Sequence, residues 1–367
     1  MRTYKKILLM LCMIASMALI LCFAGCSEKT SNKQDDKTDE TDHIRIGMCF
    51  DSFVIERWQR DRDVFVSVAK EMGAEVNVQN ANGEVETQKK QIDYFIDKGM
   101  DVIVIICIDS ESLTDSVKKA KAAGIKVIAY DRLIRNADVD LYISFDNEMV
   151  GTMMAEELLQ QSKDIDKVLM LGGPLTDDNV PRVENAFRAV MEQNGVEIVD
   201  SFHADGWRAE EAEGYVYQHP NEVDEVDAIM CGNDNLATST VRALSELRLA
   251  GGIPVVGQDA DLEACQRIVE GTQVMTVYKP VERLARQAAE CAICLTNGDD
   301  MEEMLQKSSV SGNEAGQLDM INDGSYYVPY VKLMPISVTK ENINDVIIGS
   351  GFHLKEDVYL NVPGQMP

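Results

Sequence analysis

From residue 43 onward the chain alternates short apolar runs with stretches whose apolar residues recur every three or four positions. The short runs predict strands over 44–50, 75–79, 102–107, 126–130, 141–145, 167–171, 197–202, 228–231, 253–257 and 274–277, with a late strand over 331–338. The amphipathic stretches predict helices over 57–72, 86–98, 111–123, 147–161, 183–194, 208–219, 236–247, 262–270 and 281–297. Continuous Val- and Ile-rich runs such as VIVII (102–106) suit strands covered on both faces, as in parallel sheets. Repeated βα units then give an α/β architecture with helices on both sides of each sheet. Ten strands suit two sheets of about five, with the break after Phe145, where Asp146 and Asn147 end a strand and open a helix. From 297 to 322 the pattern loosens and becomes polar. The expected organisation is one lobe from 43–147 plus about 280–330, and a second from 148–279 plus about 331–367.

Four of the apolar runs stop at polar clusters: KVIAYDR (126–132), AIMCGND (228–234), IPVVGQDAD (253–261) and VMTVYKP (274–280). The carboxyl ends of strands are where open α/β sheets place ligand crevices. Asp131 and Arg132 end one run. A carboxylate accepts two hydroxyls, a guanidinium donates in a fixed fork, and side by side they limit each other's cost of burial. A helix cap with a surface ion pair is the competing account. Asn233 and Asp259 each follow an apolar run and a Gly, and N-capping of the next helix is compatible with ligand contact. Asn179 falls in a loop after the sixth strand, as a ligand residue or a plain turn residue. Lys279 lies where the chain returns to the first lobe, either donating into the cleft or solvated. Trp58 and Trp207 are the only tryptophans, one per lobe, each in polar company just after a strand. A flat ring suits the apolar C–H face of a pyranose; plugging the lobe's core is the alternative. Arg57, beside Trp58, reaches the same cleft or lies on a solvated helix face. Together these residues suit a small, neutral, hydroxyl-rich molecule.

Composition narrows the choice. The formal charge is −27, and without Arg2, Lys5 and Lys6, the only charged residues of the first 25, it becomes −30. So acidic a chain repels phosphate backbones, which argues against nucleic acid. Those three cations precede an apolar stretch (7–23), and Ala24-Gly25-Cys26 then resembles a lipobox. The expectation is a lipoprotein signal peptide (1–25), lipid on Cys26, a disordered polar tether (26–42) and anchoring on the outer face of the cell membrane. An uncleaved membrane anchor is the alternative. Cys49, Cys107, Cys231 and Cys265 read as core residues. Cys291 and Cys294 form a CxxC with no second pair or His nearby, so no zinc site is expected, and a disulfide between them is the alternative. The four His are scattered and no nucleophile motif is present. Asp131 and Asp259 mimic a glycosidase pair, but cationic neighbours favour ionised carboxylates over a raised-pKa acid. No enzyme and no cofactor is expected.

The segments ERWQRDRDVFV, VQNANGEVETQ, AYDRLIRNADVDLYISFDNE, DGW, GQDADL, RIVEGTQVMTVYKP and NINDVIIGSGFH resemble the D-xylose-binding proteins of bacterial ABC importers, within the type 1 periplasmic sugar-binding family. The likeness runs from about residue 44 to 353. It implies two Rossmann-like lobes joined by three crossovers, closure on one monosaccharide (D-xylose or a relative), delivery to an ABC permease, and a monomer. Its ligand residues fall on Arg57, Trp58, Asp131, Arg132, Trp207, Asn233, Asp259 and Lys279. Asn179 follows less securely, because GGPLTDDNVPR departs from the family's pattern, and the segment 301–330 is longer than the family leads one to expect. A sugar-sensing subunit for a membrane kinase or chemoreceptor would share the pocket and differ in its partner surface.

Overall fold

The computed structural model describes residues 43–161, 165–310 and 315–367; the leader, the Cys26 lipid site and the tether lie outside the described residues. Among the described residues up to Asn297, ten strands and nine of ten helices follow the predicted order to within a few residues; the pattern does not predict the short helix Pro220–Glu225. The strands are β1 (Arg45–Phe50), β2 (Glu75–Asn80), β3 (Val102–Ile105), β4 (Lys126–Tyr130), β5 (Leu141–Phe145), β6 (Lys167–Gly172), β7 (Glu197–His203), β8 (Ala228–Cys231), β9 (Val255–Gln258) and β10 (Met275–Tyr278). The helices that frame the site are α1 (Arg57–Glu71), α4 (Asn147–Gln161), α5 (Asn179–Gln193), α8 (Asp234–Glu246), α9 (Leu262–Glu270) and α10 (Val281–Asn297), with α2 (Val85–Asp97), α3 (Thr114–Ala122), α6 (Ala209–Gln218) and α7 (Pro220–Glu225) between them.

Two sheets form. Strands β2-β1-β3-β4-β5 are parallel in the first and β7-β6-β8-β9-β10 in the second, so both lobes repeat one topology. The all-buried VIVI of β3 shows why: β-branched side chains fill both faces of a central strand. Helix α1 turns Trp58, Phe65, Val68 and Ala69 inward at helical spacing. Helix α10 meets α1 through small residues, Ala285, Ala288 and Ala292, which allow close approach, and it ends at Gly298 in the left-handed conformation (φ 71°). Replacing buried Trp58 by Ala should cost about 3–5 kcal/mol in urea unfolding, the usual loss for a large aromatic core residue.

The late chain corrects the sequence reading. The single strand expected over 331–338 is two: β12 (Tyr327–Leu333) joins the first sheet beside β5, and β13 (Ile336–Thr339) joins the second beside β10. Met334-Pro335 separates them, because proline lacks the N–H that a continuous ladder requires. The loosened segment holds helix α11 (Met301–Val310) and an edge strand β11 (Gln317–Asn322) antiparallel to β12. The chain passes between lobes at Asp146, Lys279-Pro280 and Met334-Pro335.

Candidate functional site

The nine residues singled out in the sequence, Arg57, Trp58, Asp131, Arg132, Asn179, Trp207, Asn233, Asp259 and Lys279, all line one cavity of about 460 Å³ between the lobes. Each residue lies in the loop, or at the start of the helix, that follows a strand's carboxyl end, and seven such connections converge on the cavity.

Three of the nine take left-handed backbone: Asp131 (φ 63°), Trp207 (φ 60°) and Asp259 (φ 98°). Non-glycine residues avoid this region, and it concentrates at sites where the surroundings impose it. At Asp131 the imposition is visible. Its carbonyl accepts from Ser144 Oγ (2.7 Å), Tyr142 Oη (3.0 Å) and Asn179 Nδ2 (3.1 Å). At Trp207 the indole lies on Gly173, where an added Cβ would come within 2.5 Å of the ring.

The charges form a closed network. Arg57 pairs with Asp61 (3.2 Å) and Asp131 (3.0 Å) and approaches Asp259 (3.8 Å). Arg132 pairs with Asp51 (2.8 Å) and with Asp177 (2.7 Å) of the other lobe. Lys279 lies 3.3 Å from Asp259. Burial alone would raise the Asp131 carboxyl, but Arg57, Lys279 and Arg132 together hold it below its ordinary value. Burial would likewise lower Arg57; Asp131, Asp61 and Asp259 outweigh it and keep the guanidinium charged. Asp61, which accepts from Tyr130 Oη, is pushed upward by burial. Both guanidiniums lie over the Trp58 ring, at 4.6 Å and 5.7 Å from its centroid.

Asn233 plays two roles at once. Its Oδ1 caps α8 by accepting from Leu236 N (2.9 Å), which leaves its amide N–H groups for the cavity. Asn179 is not in a loop, as the sequence suggested, but is the first residue of α5. It donates across the lobes to Asp131 and accepts from Asn147 (2.8 Å).

Sequence reasoning missed Ile55, Gly173, Asp177, Val180, Val183, Glu184, Met230, Gly232 and Gln258 as walls of the cavity. Asp177 had a signal, its place two residues before Asn179, and Gln258 another, its place before Asp259; the apolar lining had none. Asp177 also accepts from Trp207 Nε1 (3.3 Å), tying the second-lobe indole to Arg132. Among the described residues, five buried side-chain atoms lack a hydrogen-bond partner; four of them, Trp58 Nε1, Glu184 Oε1, Gln258 Oε1 and Asp259 Oδ1, belong to residues of these walls, and the fifth is Asp51 Oδ1 behind Arg132. Asp259 Oδ1 has its cations nearby but no aligned donor. Buried polar atoms are nearly always paired, so one donor and three acceptors left over on one cavity define where a polar ligand bonds.

A two-lobed α/β protein with a polar, ion-paired cavity at facing strand ends is a small-molecule-binding protein of the cleft type. Comparison with known proteins agrees. The family model described as "Periplasmic binding protein domain" matches residues 46–300. The D-xylose-binding periplasmic proteins of Haemophilus influenzae and Escherichia coli are each 40% identical to this chain over 324 residues, covering 86% of it and 92% of theirs. An ABC transporter solute binding protein from Clostridium phytofermentans, solved with bound β-D-glucose, shares the fold at a TM-score of 0.74 and 24% identity, over 86% of this chain and 99% of that one. The chain belongs to the periplasmic binding protein family, in its type 1 sugar-binding branch, whose members bind rather than catalyse.

Proposed function

We propose that this chain is the extracytoplasmic substrate-binding lipoprotein of an ABC sugar importer, gripping one monosaccharide, D-xylose foremost, by closure of the two lobes. The observation that carries the reading is the set of four unpartnered buried polar atoms on one cavity whose cations are all paired with carboxylates. Every cation in the walls already has carboxylate partners, which gives an anion no free charge to meet. Hydroxyls suit such walls, since they both donate to carboxylates and accept from amide and indole N–H groups. The nine residues named from the sequence are the proposed ligand contacts. Arg132–Asp177 and Asn179–Asp131 bridge the lobes inside the cavity, and Arg135–Asp178 (2.8 Å) bridges them at its rim, contacts that support closure. The relatives' D-xylose specificity supports the choice of sugar. The Ala24-Gly25-Cys26 sequence supports lipid attachment at Cys26, and a monomer is the proposed solution state.

A thermal-shift panel of monosaccharides tests the reading. A sugar at one hundred times its Kd adds about 2.7 kcal/mol to the folded state, so D-xylose should raise the melting point more than arabinose, ribose or glucose at equal concentration. A flat response to every sugar would refute it. Gly173→Ala should weaken D-xylose binding roughly tenfold or more in calorimetry, because the new methyl group displaces the Trp207 indole from its seat. Unchanged affinity would remove Trp207 from the contact set.

A further inference from the structure

Directly after Asn233 comes Asp234, which is fully buried and does not line the cavity. Its side chain points the other way, into the second lobe, and its contacts converge on the loop that carries Gln258 and Asp259. Oδ2 accepts from the Asp261 amide (3.2 Å) and from Thr276 Oγ1 (2.6 Å), and that hydroxyl in turn accepts from the Ala260 amide (3.1 Å). Oδ1 accepts from Gln273 Nε2 (2.8 Å), which Arg267 holds in place through the amide oxygen (2.9 Å and 3.0 Å). The loop so held is strained at two successive non-glycine residues, Asp259 (φ 98°) and Ala260 (φ 58°). Nothing larger than glycine fits behind it: a Cβ on Gly257 would lie 2.3 Å from Asp234 Oδ1.

A strained backbone persists only where its surroundings over-determine it. Here they do so through two consecutive amides, Ala260 N and Asp261 N, both satisfied by the Thr276–Asp234 pair. We infer that Asp234 is a positioning residue for ligand recognition, acting with Thr276 to lock the Asp259–Ala260 backbone so that the Asp259 carboxylate faces the cavity. The neighbours Asn233 and Asp234 thereby divide the work, one meeting the cavity and the other fixing the wall beside it, at the end of the adjacent strand. The inference rests on the sugar-binding reading for its effect on affinity, but not for its effect on the loop.

The test has two arms. In the first, D-xylose affinity is measured by calorimetry for the intact chain and for D234N, T276V, D259N and the double variants D234N/D259N and T276V/D259N. T276V serves if D234N fails to fold. D234N and T276V are expected to weaken binding roughly tenfold or more. In the D259N background the same changes should weaken it less than about threefold further, because their effect passes through Asp259. Native affinity in the single variants, or full additivity in the doubles, would overturn the assignment. In the second arm, amide hydrogen exchange of the sugar-free chain reports the loop directly. The Ala260 and Asp261 amides should exchange roughly tenfold faster in T276V, with β8 amides unchanged. Unaltered exchange would overturn the inference; failure of the native chain to bind any sugar, with loop exchange altered as expected, would instead overturn the sugar reading.

Discussion

Replacing Arg57 by Met should cost the chain both its ligand and much of its stability. Arg57 is almost fully buried and holds three carboxylates, those of Asp61, Asp131 and Asp259, in one cluster. Removing one partner of a buried charge network leaves the others desolvated and uncompensated, at about 3–5 kcal/mol. Methionine matches the stem's volume, so the loss isolates charge from packing. Asp131 and Asp259 both face the cavity; Asp131 would lose its cation at 3.0 Å, and Asp259 would keep Lys279 alone. The D-xylose Kd is therefore expected to rise by roughly 100-fold or more, in the range measured for truncating one member of a buried, hydrogen-bonded charge pair. Calorimetry gives the affinity and urea unfolding the stability. A variant that binds and unfolds like the native chain would mean that the cluster neither holds the lobe nor shapes the cavity.

Trp207→Ala separates recognition from folding. The indole is buried against Gly173 and donates to Asp177, yet it sits on a loop in the cavity wall rather than within a strand or long helix. Losing an aromatic face that covers a sugar should weaken binding by roughly 10- to 100-fold. The stability loss should be smaller than for Trp58→Ala, since Trp58 is anchored in helix α1 and packs edge-on against Phe50, whereas Trp207 belongs to a three-residue turn. Trp207→Phe, which keeps a ring but loses the N–H to Asp177, should fall between. Equal affinity in all three chains, read by calorimetry, would contradict a role for this ring.

Much of this architecture was legible because parallel strands buried on both faces write themselves as unbroken apolar runs. VIVI, KVIAY and LYISF are buried almost throughout, as strands covered on both faces must be. Polar residues directly after such runs then mark a crevice, and Asp131, Asn233, Asp259 and Lys279, which follow them, do line one cavity. What stayed hidden depends on contacts between distant segments. Asp177 matters because Arg132, in the other lobe, reaches it, and spacing along the chain carries no trace of that pair. The left-handed backbone at Asp131, Trp207 and Asp259 was equally invisible, since none is glycine and the surroundings impose the conformation. The late strand was misread for a local reason. VKLMPISV looks continuous by hydrophobicity, yet Pro335 forbids one ladder through it, and the two halves pair with different sheets. Strand β11 escaped because an exposed edge shows little apolar pattern.

Crystals of the chain grown with D-xylose would probe the central claim most directly. The account predicts one sugar ring in the cavity between the lobes, touched by Trp58 and Asp131 from the first and by Trp207, Asn233 and Asp259 from the second. Density for the sugar on an outer surface, or a sugar bound without either indole, would contradict it.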